Sequence, residues 1–149
     1  MYRVLDIENW NRKEHFKFFS EYDEPFWGIV SEINTTFAYK YCKEKDYSFF
    51  SHYLHKSIIA LNEIEEFRYR RENEQVLIYD IVHPSATIAR EDGTFAFSLA
   101  EFHRDFEVFD KNLKKEIEAI KNSTGLRNKP GFIRNDVIHY SSIPWTVFT

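Results

Sequence analysis

Apolar residues recur at three- and four-residue steps in two long stretches of this chain. Phe50, Tyr53, Leu54, Ile58, Leu61 and Ile64 form the first series, with Ser57 on the same stripe. Phe106, Phe109, Leu113, Ile117 and Ile120 form the second. That period places each set on one face of an α-helix, so two amphipathic helices are predicted. Asp46 or Ser48 can cap the first. A shorter helix is expected from a cap at Asn9 or Asn11 through Phe19, with His15, Phe16, Phe18 and Phe19 as its apolar part. Thr36 is a plausible cap for another, running through Cys42 to Lys45. Val4–Ile7 reads as a short strand, and Gln75–Val82 is a dense apolar run of strand length that Pro84 ends. Trp27, Ile29, Ser31 and Ile33 alternate with Gly28, Val30 and Glu32, which predicts a further strand. Glu91-Asp92-Gly93 marks a turn before an alternating stretch, Thr94–Leu99, in which Phe95, Phe97 and Leu99 share a face. This stretch and Gln75–Val82 read as a loosely connected hairpin. A polar loop holding Gly125, Pro130 and Gly131 leads to a last strand from about Val137 to the end.

The resulting order is strand, helix, strand, helix, helix, strand, strand, helix, strand. It predicts an α/β (α+β-like) fold, a mixed sheet flanked by helices, in one domain over residues 1–149. The last residues, from Ile143 to Thr149, are still apolar and β-prone. Because an uncovered strand edge is a liability, further chain is expected beyond Thr149.

Charge and composition exclude several functions. The formal net charge is -4, which gives no general attraction to nucleic acid or an anionic membrane. Arg68-Tyr69-Arg70-Arg71 is a local basic cluster, and its acidic neighbours make it read as a solvated turn. The single cysteine, Cys42, has no internal disulfide partner, which suits a reducing compartment. No apolar run suggests a leader or a membrane span, so a cytoplasmic protein is expected. Aromatic residues make up 18% of the chain, enough both to fill a core and to line an apolar ligand pocket.

Local chemistry is sparse. His52 and His55 can share a helix face, yet no third ligand stands at metal spacing, so no metal site is expected. Asp136, His139 and Ser141 follow one another on one strand, a poor arrangement for a triad. His83 before Pro84 is placed in a turn and His103 at the start of a helix. His15 is expected to be packed and hydrogen-bonded.

The segment Asp6–Phe16, with Trp10, Arg12, Lys13, Glu14, His15 and Phe16, resembles the opening W-x-R-[KR]-E-H-F signature of type A chloramphenicol acetyltransferases. Glu66-Phe67-Arg68, Leu77–Asp80, Val82-His83-Pro84, Thr94-Phe95, Glu101–Phe106 and Pro144-Trp145 continue the resemblance in family order. It implies a CoA-dependent acyltransferase-like fold, incomplete at the C-terminus. It also implies acetyl-CoA as co-substrate, chloramphenicol or a similar small hydroxylated acceptor, and a cytoplasmic homotrimer. In that family a histidine of H-H-x-x-x-D-G is the general base, and a serine soon after the P-W segment stabilises the oxyanion. Neither is found in these 149 residues, so no catalytic residue is assigned and the chain alone is expected to be inactive. The alternative is a non-enzymatic fragment that binds an apolar ligand or joins intact subunits. By resemblance, Arg12 matches the arginine that pairs with the motif's aspartate, a structural role. Phe18, Phe19, Trp27 and Phe95 match aromatic positions of the acceptor pocket, and Pro25 stands where cysteine is frequent. Ser48 and Phe50 stand where some relatives carry a lysine and a tyrosine associated with CoA contact.

Overall fold

The computed structural model describes residues 1–127 and 134–147. Helices α3 (Phe49–Glu63) and α4 (Phe106–Lys121) follow the two predicted stripes. Ser48 caps α3 by accepting the Ser51 N–H, and Asp105 caps α4 by accepting the Val108 N–H. Their stripes meet in a core of Leu54, Ala100, Phe109 and Leu113, with Phe50, Tyr53, Ile117 and Tyr140 packed around it. The shorter helices are α1 (Lys13–Ser20) and α2 (Thr36–Glu44). Neither expected cap operates there. Arg12 precedes α1 without a side-chain cap bond, and ahead of α2 Asn34 accepts the Thr36 N–H.

Two three-stranded sheets complete the fold. The first has β3 (Gln75–Tyr79) at its centre, flanked antiparallel by β1 (Tyr2–Val4) and β2 (Tyr69–Glu72). Val76, Leu77 and Ile78 are buried in succession, so both faces of β3 are covered. In the second, β4 (His83–Ala89) lies between β5 (Phe95–Phe97), antiparallel, and β6 (Val137–Tyr140), parallel. The fold is therefore mixed α/β, as expected.

Several details differ from the sequence reading. The first strand is Tyr2–Val4 rather than Val4–Ile7. The predicted strand around Trp27–Ile33 forms no strand. Alternation alone does not stabilise an isolated extended segment, because its N–H and C=O groups need a neighbouring strand. The hairpin partner of β5 is β4, not Gln75–Val82. Pro84 lies within β4 and is buried. It is tolerated because β5 pairs only with Thr87–Ala89 and requires no donor from Pro84. The last strand stops at Tyr140. Pro130, Gly131, Phe148 and Thr149 lie outside the described residues.

The basic cluster is not a solvated turn. Tyr69–Glu72 is strand β2, and Arg70 bonds four backbone carbonyls: Phe67, Tyr69, Asn135 and Val137. It thereby ties the first sheet to β6 of the second. Arg68 bonds the carbonyls of Tyr79 and Asp80. Asn62 makes a comparable tie at the end of α3. Its Nδ2 donates to the carbonyls of Ile58 and Val82, both at 2.9 Å, and its Oδ1 accepts the Val82 N–H at 2.8 Å.

Candidate functional site

Helix α1 is built from Lys13–Ser20 and buries no residue completely. Its apolar side is only partly used by the fold, through a Trp10–Phe16 ring contact at 6.1 Å and Trp10 against Tyr69 of β2. The rest of that side faces a cleft of about 290 Å³ lined by Trp10, Arg12, His15, Phe16, Phe19, Ser20, Pro25 and Arg71. Aromatic walls with a few polar groups are the usual make-up of a small-molecule site.

Of the residues expected at an acceptor pocket, Phe19 and Pro25 line this cleft, as does Arg12, which was expected in a structural role. Phe18 is beside it, edge-on to Phe19 at 5.2 Å, and Tyr22 packs on both rings. Trp27 is not brought in and is 81% exposed. Phe95 belongs to β5, where it lies edge-on to Phe97 and is 44% exposed. Arg12 is exposed, with no side-chain hydrogen bond or ion pair among the described residues. His15 is exposed at the cleft rather than packed. Arg71 was missed by the sequence reading. Its place on β2 opposite Val76 directs it to the cleft, a pairing that no local signal in the sequence records.

A second polar group surrounds His83, the first residue of β4 rather than a turn residue. Its Nδ1 accepts the Phe102 N–H at 2.9 Å, and its Nε2 stands 3.8 Å from Asp136. Arg134 grips Asp136 with two bonds, at 2.5 and 2.7 Å, and is 3.7 Å from Glu101. Burial and then Arg134 push the His83 pKa down. Burial opposes ionisation of Asp136, but its bonds and charge contacts with Arg134 outweigh that and hold the carboxyl below its usual range. Asp136 thus engages Arg134 and faces His83, while His139 and Ser141 are exposed.

His52 and His55 do not form a metal pair. His55 is buried and its Nε2 bonds the His103 carbonyl at 3.0 Å, while His52 packs against Tyr41 and Phe106. Among the described residues no group of three or more His, Cys, Asp or Glu converges on a point that could hold a metal ion. No helix among them is long and apolar enough to cross a membrane. Ser48 and Phe50 both serve the fold. Ser48 Oγ caps α3 and Phe50 packs against the core.

The comparisons agree with this architecture. The family model described as chloramphenicol acetyltransferase matches residues 1–149. A chloramphenicol acetyltransferase of Bacillus pumilus is 31% identical over 150 residues, covering 100% of this chain and 67% of the relative. One from Klebsiella sp is 29% identical over 149 residues, covering 99% of this chain and 67% of that protein. A solved chloramphenicol acetyltransferase structure superposes with a TM-score of 0.89 at 34% identity, covering 100% of this chain and 72% of that one. The ordered motifs, the helix-and-sheet arrangement and these matches lead to one conclusion: this chain belongs to the chloramphenicol acetyltransferase family.

Proposed function

We propose that this chain supplies acceptor-side structure for a chloramphenicol O-acetyltransferase. In that reaction a hydroxyl oxygen of chloramphenicol attacks the thioester carbonyl of acetyl-CoA. A base takes the hydroxyl proton, the C–S bond breaks, and CoA leaves as its thiol. The observation that carries this reading is the aromatic cleft along α1, where Arg12, Phe19 and Pro25 come together with Trp10 and Phe16. A volume of about 290 Å³ is at the small end of ligand sites, roughly 300 Å³ and upward. It suits an aryl ring rather than a whole antibiotic, and ring burial and stacking supply the attraction.

No H-H-x-x-x-D-G segment occurs in these 149 residues, and on this reading they supply neither its base nor the serine that follows the P-W segment. On this reading the chain, taken as a single domain, binds the acceptor weakly and does not turn it over alone. A second reading is favoured by the exposed apolar stretch of Phe26, Trp27, Ile29, Ile33 and Phe37. That stretch supports association with like subunits, in a homotrimer or with intact relatives, inside the cytoplasm.

The test is thiol release from acetyl-CoA with chloramphenicol, measured on this chain and on a form extended through an H-H-x-x-x-D-G segment. Turnover only in the extended form, with chloramphenicol quenching Trp10 fluorescence in both and less so in Phe19→Ala, is expected. Turnover by the 149 residues alone would overturn the assignment of the missing chemistry. No turnover by the extended form, with no quenching in either, would overturn the acceptor.

A further inference from the structure

Three imidazoles converge on one short segment between β5 and α4. His83 Nδ1 accepts the Phe102 N–H at 2.9 Å. His55 Nε2 donates to the His103 carbonyl at 3.0 Å. His103 Nδ1 accepts the Asp105 N–H at 3.0 Å. A ring nitrogen that accepts from a backbone N–H carries no proton, so the bond from the Phe102 N–H holds His83 as a neutral imidazole. His55 is neutral for a different reason. With Nε2–H committed to a carbonyl, its Nδ1 is buried without a partner, and a proton placed there would be an unpaired charge at a site 1% exposed.

We propose that Phe102–Asp105 is a pH-released latch: the neutral His83 imidazole docks it, and protonation of that ring frees it. His83 is the trigger. Protonation turns Nδ1 into a donor facing the Phe102 N–H, which replaces a hydrogen bond by a repulsion. The groups facing His83 do not compensate. Asp136 is 3.8 Å away and already engaged by Arg134, which opposes a second positive charge, while Glu101 pairs with Arg134 at 3.7 Å and the chain's amino terminus adds a weak repulsion. Around His55 the neighbours are Lys56 and His52 of its own helix and Asp105 across from it. His103 lies between Glu101, Arg104 and Asp105 in the chain.

Release has a structural consequence. Phe102 packs near the His55 ring, and Phe106, the first residue of α4, touches Tyr47, His52 and His55 at 4.8, 5.7 and 5.4 Å. Freeing the segment loosens that aromatic junction and opens the adjoining cleft lined by Tyr41, Tyr47, His52 and Lys56.

Amide hydrogen exchange resolved by NMR tests the latch, at about pH 7.5 and about pH 5, either side of the ordinary histidine range. Rates are corrected for intrinsic exchange. The Phe102 amide is expected to lose protection roughly tenfold at the lower pH, the scale of one lost hydrogen bond. The Ala86 amide, bonded to Ser98 Oγ, serves as an internal monitor of global opening. In His83→Gln the side-chain carbonyl accepts the same N–H without titrating, so Phe102 protection becomes pH-independent. Unchanged Phe102 protection in the wild type would overturn the proposal. So would a loss at Phe102 that Ala86 matches, in the wild type and His83→Gln alike.

Discussion

Replacing Asn62 removes a tie whose size follows from the structure. Val82 is 0% exposed and lies between β3 and β4, outside both strands. Its N–H and C=O both bond the Asn62 side chain, at 2.8 and 2.9 Å. Asn62→Leu retains the volume and deletes these bonds, leaving one donor and one acceptor buried without partners. Each such group costs about 1–3 kcal/mol, so a loss of about 3 kcal/mol is expected. With a urea dependence of about 2 kcal/mol per M for a chain of this size, the unfolding midpoint should fall by roughly 1.5 M. Asn62→Asp should also destabilise, because it keeps the acceptor for the Val82 N–H while directing carboxylate oxygen at the Val82 carbonyl. The assay is urea unfolding followed by circular dichroism. An Asn62→Leu midpoint within about 0.2 M of wild type would refute the reasoning, since about 0.5 kcal/mol is the effect of an ordinary surface change.

Two further outcomes follow from buried polar groups. Burial is the leading cause that lowers the pKa of His52, His55 and His83 below the ordinary histidine value. The unfolded chain therefore binds more protons, and stability present above about pH 6.5 is lost as pH falls toward the folded-state values. Urea midpoints that stay level from about pH 7.5 to about pH 5.5 would contradict this. Arg70→Met removes the bonds to the carbonyls of Asn135 and Val137, at 2.6 and 2.7 Å. Amide exchange in β6 should accelerate at least fivefold while that of β3 changes less; equal changes in both strands would contradict a bridge between the sheets.

Family and fold class were legible in the sequence because they depend on local signals repeated along the chain. The α3 and α4 stripes, the Ser48 cap and the Asp92-Gly93 turn each act within a few residues, and the structure retains them. Gly93 has φ +80, the left-handed region its lack of a side chain permits. Asp92 Oδ1 accepts the Thr94 N–H in the same turn.

Tertiary structure decided what depends on partners distant in sequence. Trp27–Ile33 alternates as a strand does, yet among the described residues no neighbouring strand takes up its backbone groups. Arg68-Tyr69-Arg70-Arg71 is charged enough to suggest water, yet Arg70 finds carbonyls from residues 135 and 137, and Arg71 reaches the α1 cleft. Phe19 and Phe95 read alike as pocket aromatics, but one lies on the cleft and the other on an edge strand elsewhere. Periodicity determines which side of an element is apolar. Which surface that side meets depends on chain segments far away, and only the folded arrangement specifies it.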